Sequence, residues 1–452
     1  MKKKLALFII LTLTIMGTVA CGSKQGAGTP APQDTNKTND KQETAPNIDS
    51  EKALTVAWWG NQARNDRTIA ALDLYSDQNP NVIFDGQFSE WGDYWNKLAI
   101  SSAGHSLPDI IQMDYRYLEQ YATNKLLVDL KPYIDSGVLD VSGIDQGILN
   151  SGSLGDGVYA ICLGVNAPSL LYNKSLLDEN GITIKDNMTM DEFISVSKEI
   201  YEKTGYTTSV AFDESSNFLE YFLRASDILL FDTGKLGANN AEQLVPFFEI
   251  YETGIKEGWH TSPSVFAEIS RGSIEQSPLV HGASPATRSW CAFAFSNQLT
   301  AIIKAAPAGM EVGITTWPSN NPKSSNYLKP SQFFSISTDS KDPEESAKIL
   351  DFFTNSLEAN DILLGERGVP AAAPVAEAIA PKLSEAETMV IEYINNVVTP
   401  NSSTINPPPA DGANEVADIL NMTLEKLAYG QITAQQAASD FFEQSNKVLA
   451  GQ

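Results

Sequence analysis

Between residues 54 and 113 the chain alternates short apolar runs with amphipathic stretches, and this rhythm constrains the fold more than any other feature. Residues 54–59 form an apolar run containing Val56, Trp58 and Trp59, which predicts a buried strand. In residues 61–78, Ile69, Leu72 and Tyr75 recur at helical spacing, and Asn79-Pro80 ends the pattern. A second strand is predicted over 82–88. A helix follows over 93–102, with Tyr94 and Leu98 on one face. Pro108 leads into a third strand over 109–113. Strand–helix–strand–helix–strand implies an α/β fold with a parallel sheet and right-handed crossovers. Ligands of such sheets bind at the carboxyl ends of the strands. Those ends carry Trp58, Trp59, Gly60 and Asn61, then Glu90 and Trp91, then Asp114 and Tyr115.

The pattern returns late in the chain, with strands predicted over 312–317 and 332–337. Asp342-Pro343-Glu344-Glu345 is a helix start: a cap, proline at the first helical position and acids in the first turn. Ala347, Leu350 and Phe353 give that helix its apolar face. Residues 170–300 and 384–450 read as mainly helical. A length of 452 residues allows two or three domains.

The first twenty residues read as an address. Lys2, Lys3 and Lys4 precede the run of apolar residues and threonine over 5–16, which is too short for a bilayer core needing about 20 residues. Small residues then lead to Cys21. This end resembles the lipobox of bacterial lipoproteins, which implies cleavage before Cys21 and its diacylation. Thr18 stands where that pattern usually has leucine; a plain signal peptide with an incidental cysteine is the alternative. Residues 22–50 contain no aromatic residue, leucine, valine or methionine. Residues 21–52 are therefore expected to form a disordered tether from Cys21, its 29-residue polar part spanning roughly 30 Å.

Charge and chemistry narrow the function. Acidic residues number 56 against 31 basic ones, a net charge of −25, with no Lys/Arg stripe, which opposes nucleic-acid binding. Loss of the leader removes three lysines and no acid, taking the charge to −28. His105, His260 and His281 lack zinc-type spacing, and no cofactor or metal is expected. Gly152-Ser153-Leu154-Gly155 lacks nucleophile-elbow spacing, and Thr233-Gly234-Lys235-Leu236 is not a phosphate loop. Cys162 and Cys291 are expected to be separate buried thiols, although an exported chain permits their pairing. The positive signal is aromatic: Trp58, Trp59, Trp91, Tyr94, Trp95, Tyr115 and Tyr117 cluster in one βαβαβ region, with Trp290 and Trp317 further on. Flat rings suit the apolar faces of sugars, and polar groups among aromatic walls make a small-ligand site. Trp58 and Trp95 fit the core equally well; Trp59, Trp91 and Trp290 favour a site.

Several segments together resemble the extracellular solute-binding proteins of bacterial ABC transporters, in particular the carbohydrate-binding family 1 that includes maltose-binding protein. They are Val56-Ala57-Trp58-Trp59-Gly60, the stretch from Trp91 to Leu98, and Leu107-Pro108-Asp109-Ile110-Ile111-Gln112-Met113-Asp114. Gly164-Val165-Asn166 before Leu171-Tyr172-Asn173-Lys174 is similar to the family's crossing strand, and Ser331-Gln332-Phe333-Phe334 with Glu366-Arg367-Gly368-Val369-Pro370 to its late block. The resemblance spans nearly the whole chain from Leu54.

It implies a two-lobed periplasmic-binding-protein-like fold with a ligand cleft and hinge between the lobes. Lobe one would comprise 53–164 and 305–354, and lobe two 165–304 and 355–450. The implied ligand-binding residues are Trp59, Gly60, Asn61, Arg64, Trp91, Asp114, Tyr115, Asn166, Trp290, Gln332 and Arg367. Arg64, Arg116 or Arg367 would meet a carboxylate if the sugar carried uronic acid; structural ion pairs are the competing role. The expected function is capture of a sugar, an oligosaccharide by the aromatic count, by hinge closure, and its delivery to the transmembrane subunits of an ABC importer. The expected protein is a monomeric non-enzyme, lipid-anchored on the extracytoplasmic face of the cell membrane. A secreted carbohydrate-active enzyme and a surface adhesin are the alternatives.

Overall fold

The computed structural model describes residues 51–60, 62–270, 272–407 and 412–451. The expected leader, Cys21 and most of the tether lie outside the described residues, as does Asn61. Among the described residues thirteen strands occur, in chain order: β1 Lys52–Trp59, β2 Val82–Ser89, β3 Ile110–Met113, β4 Ser153–Leu154, β5 Gly157–Val158, β6 Ile161–Asn166, β7 Pro168–Asn173, β8 Phe231–Asp232, β9 Lys235–Leu236, β10 Cys291–Phe295, β11 Val312–Thr315, β12 Lys329–Ile336 and β13 Val369–Pro370.

Six of them build the main sheet, in the order β13-β6-β12-β3-β1-β2. β1 pairs in parallel with both β2 and β3, and the helices Gln62–Gln78 and Trp91–Ala103 make the crossovers, as the alternation predicts. The sheet is mixed rather than parallel throughout, because β12 runs antiparallel to β3 and β6. A smaller antiparallel sheet has the order β10-β7-β11. Val312–Thr315 is a strand, as expected from residue 312; it pairs with β7 in the small sheet, while Val312 itself packs into the hydrophobic cluster that contains Trp58 and Phe333.

Two hydrophobic clusters underlie the two sheets. The first contains Trp58, Ile110, Ile111, Phe333 and Phe334; the second contains Phe218, Phe247, Trp259, Trp290 and Trp317. Core membership departs from the expected segmentation. Ala359, Val375, Ala376 and Val390 to Val398 pack into the first cluster, and late residues from Ile405 to Leu449 pack into or against the second, with Val416, Leu420 and Phe441 among its buried members. β6 leaves the main sheet at Asn166 and β7 enters the small one at Pro168, so Ala167 alone links them. Ala167 is held by Ser296, whose Oγ accepts the Ala167 N–H at 3.0 Å and whose backbone N–H donates to the Ala167 carbonyl at 2.9 Å.

The predicted helix start at Asp342 forms as read: Pro343 opens the helix Pro343–Asn355, and the Asp342 carboxylate accepts the Glu345 N–H at 3.0 Å.

Candidate functional site

The carboxyl ends of β1 and β3, the β6–β7 crossing and the loop before β13 converge on a cavity of about 490 Å³. Seven of the expected residues line it: Trp59, Arg64, Trp91, Asp114, Asn166, Gln332 and Arg367. A second cavity of about 540 Å³ continues from it, sharing Asp114, Asn166, Asn297 and Ser331, and adds Tyr115 and Arg116. The two form one elongated cleft that reaches toward the second cluster through Glu214, Phe295 and Tyr327.

One wall is aromatic. Trp59 meets Trp91 edge-to-face with ring centroids 4.9 Å apart, and lies 5.3 Å from Tyr94 and 5.7 Å from Trp95. Trp91 begins its helix and remains 39% exposed, so an indole face is open to a ligand. Trp58, one residue from Trp59, is fully buried, its indole N–H donated to Asn65 Oδ1 at 2.9 Å. Strand alternation separates the two: one points to core, one to cleft.

The polar wall is built by close backbone approach. Ser331 lies in an irregular stretch of β12 where the register against β6 shifts, and such shifts re-aim side chains. Its hydroxyl donates to the Gly164 carbonyl at 2.7 Å and also meets the Arg367 carbonyl. Glycine is required here. A Cβ on Gly164 would stand 2.2 Å from the Arg367 carbonyl oxygen, and Gly368 has φ +97° with the Val165 carbonyl 3.0 Å from its would-be Cβ. This packing leaves buried atoms of three lining residues without a hydrogen-bond partner: Asn166 Oδ1, Gln332 Nε2, and both Nε and Nη1 of Arg367. Buried polar groups are normally paired, so these residues bring both acceptor and donor capacity to the cavity wall.

The arginines are engaged in structure. Arg64 Nε donates to both Glu366 carboxylate oxygens, at 2.9 and 2.8 Å, and its Nη1 donates to Gln332 Oε1 at 3.0 Å and the Trp59 carbonyl at 3.2 Å. Arg367 is buried, donates from Nη2 to Thr68 Oγ1 at 2.6 Å and lies over the Phe334 ring. Burial, with Arg64 nearby, pushes Arg367 down to about 9, which leaves it charged at neutral pH. Of the arginines expected to meet a uronate, Arg116 alone is exposed on the cleft; its backbone N–H is capped by the Asp114 carboxylate at 2.9 Å.

Two expected residues lie elsewhere. Trp290 is fully buried in the second cluster, donates its indole N–H to Thr208 Oγ1 at 2.9 Å and packs near Phe193; it lines neither cavity. Its place is fixed by backbone bonds to Thr207 and Asn173, pairings from distant segments that local sequence does not show. Gly60 is not among the lining residues, and it packs beside Arg64. Sequence reading missed Asn297, Glu214, Glu220, Tyr327 and Lys329. Burial raises the Glu214 and Glu220 carboxyls, partly offset by the Asn217 hydrogen bond for Glu214 and by Arg224 for Glu220. Lys329 Nζ sits 4.1 Å above the Phe295 ring. For Glu220 the sequence signal was the helix Ser215–Arg224, which buries Phe218, Leu219, Tyr221 and Leu223 and leaves Glu220 off that face; Glu214 immediately precedes the helix.

Two α/β lobes and an aromatic-and-polar cleft along their crossing strands define a protein that captures a ligand. Residues 70–389 match the family of bacterial extracellular solute-binding proteins, and the chain belongs to that family. Solved structures with the same fold include an extracellular solute-binding protein of family 1 from Alicyclobacillus acidocaldarius, 24% identical with a TM-score of 0.79 over 89% of this chain and 99% of that one. An oligogalacturonide-binding protein from Yersinia enterocolitica is 21% identical, with a TM-score of 0.73 over 88% and 98%. The GacH receptor of Streptomyces glaucescens, solved unliganded and with acarbose, is 16% identical, with a TM-score of 0.62 over 89% and 99%.

Proposed function

We propose that this protein is the sugar-binding subunit of an ABC importer, taking an oligosaccharide into the cleft and handing it to the membrane permease. The observation that carries this reading is that Asn166, Gln332 and Arg367, each with a buried polar atom lacking a hydrogen-bond partner, line the same cavity as Trp59 and Trp91. Sugar hydroxyls both donate and accept, and sugar C–H faces stack on indole. Two adjoining cavities of about 490 and 540 Å³ give room for more than one ring. The oligogalacturonide and acarbose ligands of the structural relatives support the same substrate class.

In this reading the ligand shifts an open–closed equilibrium because it contacts both lobes only when they are closed. The links near Ala167 and over residues 316–328 serve as the hinge, where a few residues absorb the rotation. Cys21 carries the lipid and the polar segment after it holds the body off the membrane.

The test is calorimetric titration of the mature protein with a panel of neutral and uronate-containing oligosaccharides, with the sugars analysed afterwards. Saturable binding with unchanged sugar supports a receptor. Cleavage of the sugar would establish an enzyme. Binding without compaction in solution scattering would favour an adhesin.

A further inference from the structure

A third cavity, of about 600 Å³, lies within the second lobe and shares no residue with the cleft. Its apolar surface includes Phe212 and Phe266, whose rings stack 4.1 Å apart and within 5° of parallel, and Met422 and Leu424 from the helix Ala413–Ala428. His260 forms part of its wall. The ring is 6% exposed and stands edge-on to Phe266. Its Nδ1 lies 2.8 Å from the Thr261 carbonyl, an acceptor only, so Nδ1 carries the proton and donates it. The opposite nitrogen, Nε2, is then an acceptor, and it is buried without a partner. Burial holds the imidazole down to about 4, so it is neutral at physiological pH. Asp418 and Glu425 line the rim two helical turns apart. Both are exposed, and among the described residues neither forms an ion pair.

We propose that this cavity is a second ligand site, for a small cationic aromatic molecule that carries a hydrogen-bond donor on its ring. The apolar interior takes the ring, His260 Nε2 accepts the donor, and Asp418 and Glu425 meet the positive charge at the mouth. A largely apolar cavity with a few orienting polar groups is the usual construction of a small-molecule site; here Ser215 and Asn421 of the lining bond each other at 2.6 Å, and the orphaned buried acceptor of His260 costs stability that a ligand donor restores. The lobe holding the cavity supplies Glu214, Phe295 and Tyr327 to the cleft, so occupancy is positioned to bear on sugar capture.

The probes are tyramine, its methyl ether 4-methoxyphenethylamine, and the anion 3-(4-hydroxyphenyl)propionate, followed by saturation-transfer NMR and calorimetry on the mature protein. Tyramine is expected to bind with a Kd of about 1 mM, as its size allows, and the other two at least about fivefold more weakly. His260→Phe is expected to erase the preference for the phenol over its methyl ether. The surface double variant Asp418→Asn/Glu425→Gln, which disturbs no buried group, is expected to erase the preference for the amine over the anion. Binding of none of the probes, or binding whose preferences survive both variants, would overturn the proposal. Sugar titration of the cleft is read separately, so failure here leaves the proposed function standing.

Discussion

Arg64 and Glu366 are joined across 302 positions of sequence by a two-pronged hydrogen bond, Nε donating at 2.9 and 2.8 Å. The same guanidinium holds Gln332 and the Trp59 carbonyl. One side chain from the first helix thereby fixes the end of β1, the middle of β12 and the loop preceding β13. Glu366→Gln is expected to loosen all three, with a loss of stability of about 1–3 kcal/mol and weaker ligand binding. Denaturant midpoints and a sugar titration check both. A variant as stable as the parent would remove Arg64 from its positioning role.

The unpartnered groups predict selective losses. Asn166→Ala and Gln332→Ala each remove a cleft hydrogen bond worth about 0.5–1.5 kcal/mol, roughly 3- to 10-fold in affinity. The melting temperature should hold in Asn166→Ala, whose buried Oδ1 has no protein partner, and fall modestly in Gln332→Ala, which also loses the bond that Gln332 Oε1 accepts from Arg64. Unchanged affinity in both would place the sugar elsewhere.

Asp109 gathers four donors onto one carboxylate: the Thr55 N–H and hydroxyl at 2.8 Å each, the Ser340 hydroxyl at 2.8 Å and the Lys341 N–H at 3.0 Å. Burial opposes ionisation, but these bonds outweigh it and hold the carboxyl below its usual value. The native form therefore keeps its charge where the unfolded chain takes up a proton. The resulting stability is present above about pH 4 and is lost as pH falls through the native value. Asp109→Asn should destabilise the protein near neutrality and flatten the acid limb of its stability curve. An acid limb as steep as the parent's would contradict this.

Cys162 and Cys291 are both free and buried, and burial pushes the Cys162 thiol up to about 12. Neither should react with a thiol reagent in the native protein, and both should react after denaturation. Rapid labelling of the folded form would show that one of them is accessible.

What the sequence shows and hides follows from how local each determinant is. Trp59, Trp91 and Asp114 were legible because strand ends in a βαβαβ unit are set by neighbouring residues. The capped helix at Asp342 was legible for the same reason. The partner of Val312–Thr315 was not, since an apolar strand reads alike whichever sheet receives it; its pairing with Leu170 to Asn173 is a contact across some 140 residues. Trp290 carries the same lesson. An indole at a strand edge suits a cleft or a core, and the Thr208 hydroxyl that accepts its N–H lies 82 residues away. Glu220 reaches the cleft through the orientation of its helix, and Glu214 from the residue that precedes it.

The contrast between Trp59 and Trp290 gives the most direct test of where the ligand sits. Titration of the parent, Trp59→Ala and Trp290→Phe with the sugar that binds should show an affinity loss of at least about tenfold for Trp59→Ala. Trp290→Phe should lower the melting temperature and leave affinity within about twofold, as expected of a core ring reduced in size. Full affinity in Trp59→Ala, or its loss in a folded Trp290→Phe, would contradict the placement of the site.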